Sequence, residues 1–228
     1  MFWLALPLTL LCFFSFKALY KQWPLPIFNP VLLSLIALIS LLSLLGLPYE
    51  EYAQGSAPLS WLLEPAVVAL ALPLYQQAQH IRKQLKPILI ACTFGVATSL
   101  LIVIPLAWLL GAEPNVIASL APQSVTTPVA MGITASLGGI PALSAAVVII
   151  VGIVGAAFGL PFLTKMGVTE PSAQGLAMGA AAHALGTARA IEHSETHGAY
   201  SSLALILCAV LMAFLAPLIF NFYMLFLS

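Results

Sequence analysis

Two short stretches of this chain carry side chains able to do chemistry where the surroundings are almost wholly apolar. The first is Ala121-Pro122-Gln123-Ser124-Val125-Thr126-Thr127-Pro128, rich in hydroxyls and poor in Leu and Ile. Pro122 and Pro128 each remove a backbone donor and disfavour a helical residue before them. The carbonyls so freed must be satisfied, by Ser124, Thr126 and Thr127 or by a solute. A helix restarting here would direct free N–H groups and the positive end of its dipole at an anion. The alternative is a proline-kinked helix whose hydroxyls bond their own backbone. The second stretch, Gly175 to Arg189, surrounds His183 and Arg189 with glycine and alanine, which allow close backbone approach. Arg189 offers a planar fork of donors that matches a carboxylate. His183 titrates near neutral pH and could bind a solute or relay a proton. Against these stand a guanidinium snorkelling to the interface beside Glu192, His193, Glu195 and His197, and a histidine satisfied by packing.

Other polar groups promise less. Gly138-Gly139-Ile140-Pro141 reads as a tight turn closing the hydroxyl-rich segment. Gly152, Gly155 and Gly159 fall at helical spacing and read as a flat packing face. Glu64, before Pro65, reads as a helix-start carboxylate. His193 and His197 lie at i and i+4, but a third ligand is wanting, so no metal site is expected. Cys12, Cys92 and Cys208 all sit inside apolar runs and behave as small hydrophobes. No nucleophile–base pairing, phosphate loop or heme motif is found, so neither an enzyme nor a cofactor is expected, and no basic patch suggests nucleic acid.

The elements that must hold these groups are membrane helices. Of 228 residues, 62% are hydrophobic and 6% charged, and mean hydropathy is +1.09, whereas soluble domains carry about 25% charged residues. Five apolar runs stand out: 2–16, 31–47, 87–112, 141–163 and 199–227. About 20 residues of helix cross the hydrocarbon. Lys17 and Lys21 follow the first run and no positive residue precedes it, which reads as a retained span and not a leader. His80, Arg82, Lys83 and Lys86 form the densest basic cluster and mark the cytoplasmic side. Beyond it two arrangements satisfy charge equally: eight crossings, or a re-entrant hairpin over 117–139.

The chain also repeats weakly. Pro30, Pro87 and Pro141 each precede a long apolar helix that an interrupted segment follows. The offset from Pro30 to Pro87 equals that from Pro65 to Pro122 and from Glu113-Pro114 to Glu170-Pro171. Units of 30–86, 87–140 and 141–197 follow within one membrane domain, 1–228. Broken helices in repeats are a transporter signature, because unwound backbone is tolerated only where it lines a cavity. The expected fold is therefore an all-α polytopic membrane protein of about seven to eight transmembrane segments, discontinuous or re-entrant helices included.

Nearly end to end, the chain resembles the LrgB/CidB family of bacterial membrane proteins, close to its YohK branch. The likeness is carried by Leu63-Glu64-Pro65-Ala66-Val67-Val68-Ala69-Leu70-Ala71-Leu72-Pro73-Leu74-Tyr75, by Ser124-Val125-Thr126-Thr127-Pro128, by Gly138-Gly139-Ile140-Pro141 and by His183-Ala184-Leu185-Gly186-Thr187-Ala188-Arg189. Gln123 stands where YohK-like proteins often have Lys, so a positive charge is missing. The resemblance implies a multi-pass protein of the bacterial inner membrane. It also implies one of two roles. One is a holin/antiholin-like regulator of murein hydrolase export and lysis, paired with a small LrgA/CidA-type membrane protein. The other, as in plastid relatives similar to a glycolate/glycerate exchanger and in bacterial members linked to pyruvate, is small-monocarboxylate transport in a homo- or hetero-oligomer. The broken segments favour transport, with Ser124, Thr126, Thr127, Pro128, Gly138, Gly139, His183, Gly186, Thr187 and Arg189 as the candidate binding set. On this reading Arg189 and the hydroxyl run face each other across one mid-bilayer pocket.

Overall fold

A computed structural model describes residues 2–23, 28–62, 65, 68, 71–76 and 78–227. The fold is 86% helix, with no strand among the described residues. Residues Met1–Ala71 and Leu72–Ser228 form two compact units. In the first, α1 (Phe2–Gln22) packs against α2 (Pro30–Leu44), α3 (Tyr49–Gly55) and α4 (Ala57–Trp61). Asn29 caps α2 by accepting from the Val31 and Leu32 N–H groups at 2.9 and 3.2 Å. The Thr9 and Tyr52 hydroxyls join α1 to α3 at 2.8 Å. Glu64 and most of the Leu63–Tyr75 stretch lie outside the described residues.

The second unit contains α5 (Ala71–Gln76, from its second residue), α6 (Ala78–Lys83), α7 (Leu85–Leu109), α8 (Pro114–Leu120), α9 (Thr127–Ser136), α10 (Pro141–Lys165), α11 (Pro171–His193) and α12 (Glu195–Leu227). Among the described residues, four helices are long and apolar enough to cross a membrane: α1, α7, α10 and α12. Apolar α2 is shorter, at 15 residues. The 25 residues of α7 and of α10 rise about 37 Å each, enough to span a bilayer.

Contacts fix the directions of these helices. Tyr200 Oη donates to Gln84 Oε1 at 3.1 Å, and Cys92 sits beside Cys208, so α7 and α12 run parallel. Between α10 and α12 lies α11, which is not one straight helix. His183 has φ 42° and ψ −133°, in the left-handed region, and the chain reverses there. A Cβ on Gly186 would meet the Met178 carbonyl, a contact impossible along one continuous helix. The first arm of α11 passes α10 in the antiparallel sense, Gly159 against Met178, Gly155 against Ala182 and Gly152 against the His183 ring. It passes α12 in the parallel sense, Gly175 against His197 and Gly179 against Ser201. Gly152, Gly155 and Gly159 thus form the flat face on which the arm lies. The turn reaches Gly152, near the midpoint of α10, and goes no further.

Segment 114–139 reverses in the same way from the other end of the unit. Glu113 and Glu170 occupy the N-cap positions of α8 and α11, each followed by proline at the first helical turn. Thr134 Oγ1 donates to the Ala118 carbonyl at 3.5 Å, and Ser119 Oγ accepts from the Ile140 N–H at 2.7 Å, tying α8 to the end of α9. Gly138, at φ 74°, lets α9 end in a turn that brings Gly139 back onto Thr134 and Ser119. Because both interrupted segments fold back, Lys165 and Arg189 lie at the end of the unit that holds Arg82, Lys83 and Lys86.

A side chain on Gly179 would drive into the Ser201 backbone. Gly179→Leu should therefore destabilise the purified protein in detergent by roughly 1–3 kcal/mol or more, the cost typical of overpacking, seen as a lower thermal unfolding midpoint. An unchanged midpoint would mean that α11 and α12 are not in contact there.

Candidate functional site

The hydroxyl run forms the tip of the first hairpin. Ala121, Pro122, Ser124 and Val125 are buried, Gln123, Thr126 and Thr127 half-buried, and Pro128 exposed. Thr126 is the N-cap of α9, in extended conformation, and no side chain caps that helix. Pro128 has no N–H to offer, which leaves those of Thr127 and Val129 in the uncapped first turn. The Ser124 side chain is 6% exposed, and its Oγ has no hydrogen-bond partner in the protein. An unpaired buried hydroxyl of this kind costs about 1–3 kcal/mol.

Ser124 and Gln123 line a cavity of about 610 Å³. Its other walls are Ala91, Cys92, Gly95, Thr98, Ser99, Ile102 and Val103 of α7, Val151 of α10, and Ala173, Leu176, Ala177, Ala180 and Ala181 on the first arm of α11. The cavity runs from Ala173, near the basic end, to Ser124 and Val151 at the middle of the unit. Its lining is mostly apolar, with Thr98, Ser99, Gln123 and Ser124 as polar points. That composition suits a small solute with one polar end. Thr98 and Ser99 escaped the sequence reading because they sit inside the 87–112 run, where averaging over a window hides two adjacent hydroxyls.

At the tip of the second hairpin, His183 is 4% exposed. Its Nε2 lies 2.8 Å from the Val148 carbonyl. A carbonyl only accepts, so Nε2 carries the proton and donates, leaving Nδ1 as the acceptor of the neutral ring. Gly152 makes room for that ring. Thr187, one turn into the returning arm, is buried and paired with Ser201 Oγ at 2.9 Å. Gly186 packs on Ala182 and Met178. Thr187 and Gly186 therefore hold the hairpin together.

Arg189 corrects an expectation. Its side chain is 44% exposed and pairs with Glu192 at 3.2 Å. It lines a second cavity, of about 470 Å³, with Leu160, Pro161, Thr164, Lys165, Gln174 and His193. It is not among the residues lining the Ser124 cavity. The physical reason is the reversal at His183. Six residues beyond the turn carry Arg189 about 9 Å back toward the end of the unit, where a straight helix would have carried it past mid-depth. The shared mid-bilayer pocket of the hydroxyl run and the guanidinium is therefore not formed. Gly138 and Gly139 lie at the opposite end of the first hairpin from its tip.

A buried network holds the base of the second hairpin. Gln174 donates from Nε2 to the Val168 carbonyl at 2.7 Å and to Thr164 Oγ1 at 3.0 Å. Its Oε1 accepts from His197 Nε2 at 2.9 Å, and His197 Nδ1 meets Ser194 Oγ at 2.7 Å. Both ring nitrogens of His197 are thus committed to hydrogen bonds, although its ring stacks edge-on against His193 at 4.6 Å. Among the described residues, no group of three or more His, Cys, Asp or Glu could hold a metal.

Apolar spanning helices and two opposed hairpins define an all-helical, multi-pass membrane protein. The LrgB-like family model matches residues 9–222, and the chain belongs to that family. It is 39% identical over 220 residues to an uncharacterised protein of Haemophilus influenzae, covering 96% of this chain and 90% of that one. It is likewise 39% identical over 212 residues to the protein YxaC of Bacillus subtilis, covering 93% and 92%. Antiholin-like protein LrgB of Bacillus cereus is 36% identical over 196 residues, covering 86% and 85%. No solved structure matches the chain.

The placement of Arg189 is open to direct measurement. With Cys12 replaced by serine, Arg189→Cys and Lys165→Cys should react with a membrane-impermeant maleimide from one face of sealed vesicles. Glu113→Cys should react from the other. Labelling of Arg189→Cys and Glu113→Cys from the same face would contradict the reversal at His183.

Proposed function

We propose that the chain is a transporter or channel subunit for small monocarboxylates of the glycolate, glycerate, lactate or pyruvate class. One observation carries this reading: two hairpins enter from opposite ends of the unit, and the Ser124 tip lines a cavity at mid-depth with the His183 tip at the same level. The offset from Glu113 to Glu170 is also that from Thr126 to His183, so the two breaks hold equivalent positions. Units 87–140 and 141–197 then form an inverted repeat of one spanning helix plus one re-entrant hairpin, the pattern in which transporters build midplane sites. The remaining unit, 30–86, includes positions outside the described residues.

In this site the carboxylate accepts hydrogen bonds from Ser124 and from the uncapped N–H groups of α9. Gln123, Thr98 and Ser99 meet further oxygens. The dipoles of α9 and of the arm restarting after His183 oppose the anion's charge. The His183 ring keeps the turn closed by donating to Val148, and no covalent step occurs. The basic end, with Arg82, Lys83, Lys86, Lys165 and Arg189, faces the cytoplasm, the protein residing in the bacterial inner membrane. A small LrgA/CidA-type partner or further copies of the chain complete the assembly.

The second reading, a lysis-control protein acting through membrane oligomerisation, is favoured by the antiholin-like name of the Bacillus cereus relatives. Liposomes separate the two. Labelled glycolate or pyruvate should enter saturably, with or without the small partner. Ser124→Ala should raise the half-saturation concentration roughly tenfold or more, the effect of removing a hydrogen bond to a charged group. No saturable uptake under either condition, together with release of a large dye on oligomerisation, would replace transport by the lysis reading.

A further inference from the structure

The second cavity has a chemistry that neither reading uses. It lies between the last turn of α10 and the base of the second hairpin, with Leu160 and Pro161 as its apolar floor and Thr164, Lys165, Arg189 and His193 among its polar walls. No carboxylate is among its lining residues. Arg189 shares its charge with exposed Glu192, and Lys165 pairs with no carboxylate among the described residues. The cavity therefore presents a net positive, donor-rich surface at the level where the spanning helix leaves the hydrocarbon.

The outer face of α10 says what kind of anion fits. Val154, Phe158 and Phe162 are 52%, 54% and 61% exposed. Together with Lys165 they follow i, i+4, i+8 and i+11, so they share one helix face that ends at the cavity. A free carboxylate would use the cavity and leave this stripe to bulk lipid. A diacyl lipid would use both, its phosphate between Lys165 and Arg189 and an acyl chain along the stripe. Basic pockets between spanning helices on the cytoplasmic side take anionic headgroups for this reason.

We infer that this cavity is a binding site for an anionic glycerophospholipid, whose headgroup phosphate is held by Lys165 and Arg189 and whose chains lie on the Val154–Phe158–Phe162 face. The bound lipid joins α10 to both arms of the hairpin, since Gln174 is on the first arm and Arg189 and His193 on the second. It thereby braces the hairpin whose tip borders the mid-depth site. The inference does not depend on what, if anything, that site carries.

The test uses the full-length protein in mild detergent, supplemented in turn with phosphatidylglycerol, phosphatidylcholine or soluble glycerol phosphate. Retained lipid is read by native mass spectrometry and stability by the unfolding midpoint. Phosphatidylglycerol should be retained over phosphatidylcholine by roughly thirtyfold, the ratio expected for two cations near a headgroup, and should raise the midpoint. The double variant Lys165→Gln/Arg189→Gln should lose the preference while keeping the wild-type midpoint in phosphatidylcholine. Arg82→Gln/Lys83→Gln should keep it. Three results would overturn the site: no preference in the wild type, an undiminished preference in the Lys165/Arg189 variant, or equal stabilisation by glycerol phosphate, which would mark a soluble-anion site. If the double variant fails to fold, Phe158→Ala/Phe162→Ala gives a second reading. A loss of retention there supports the lipid, and full retention overturns it.

Discussion

A chain that reverses inside an apolar helical unit uncovers backbone donors and acceptors, and the protein itself must meet them there. That constraint organises residues 72–228. At His183 the backbone takes a left-handed conformation that a side-chain-bearing residue adopts only when its surroundings compel it. The compulsion comes from the ring, whose Nε2–H reaches the Val148 carbonyl across the space that Gly152 leaves open. Histidine here is a clamp, and the glycines of α10 and α11 are what let the clamp close. The same demand explains Thr187 with Ser201, Thr134 with the Ala118 carbonyl, and Ser119 with the Ile140 N–H. Each is a hydroxyl near a hairpin, committed to holding two segments together. Ser124, like Ser144 and Ser202, is a buried hydroxyl with no hydrogen-bond partner, and of these three it is Ser124 that lines the mid-depth cavity.

What the sequence disclosed follows from which signals are local. The apolar runs at 31–47, 87–112, 141–163 and 199–227 became α2, α7, α10 and α12 within a few residues, since hydropathy over 20 residues is a local property. Pro122 and Pro128 announced the first break, because proline removes a donor wherever it sits. The second break had no such herald. His183 lies among alanines that favour helix, and the reversal arises from Gly152, Gly155 and Gly159 on a different helix. No reading of residues 175–189 alone could place Arg189, as its depth depends on the sense of the arm that carries it. Gln174 was overlooked for a similar reason. Its importance lies in joining Thr164, Val168 and His197, which are distant in sequence.

Moving Arg189 to the rim changes the electrostatics of the candidate site more than its shape. A guanidinium at mid-depth would be costly on its own, by several kcal/mol on insertion scales, and would bind an anion too tightly to release it without a counter-charge. No charged residue or histidine occurs between Pro114 and Thr164. The first hairpin therefore reaches the cavity with hydroxyls, an amide and helix dipoles only. On the proposed transport reading, such groups would lower the barrier for an anion without forming a trap, since each dipole end amounts to roughly half a charge and acts over one turn. The fixed cations then lie at the end of the unit that holds Arg82, Lys83 and Lys86, where the two proposals would have them raise the local concentration of anions and meet anionic lipid. The division is the one expected when polar groups must serve in hydrocarbon: full charges at the mouth, partial charges at the centre. It also places the absence of a lysine at Gln123 in physical terms. A cation on the first hairpin tip would sit at the depth where the rest of the unit has kept full charge away.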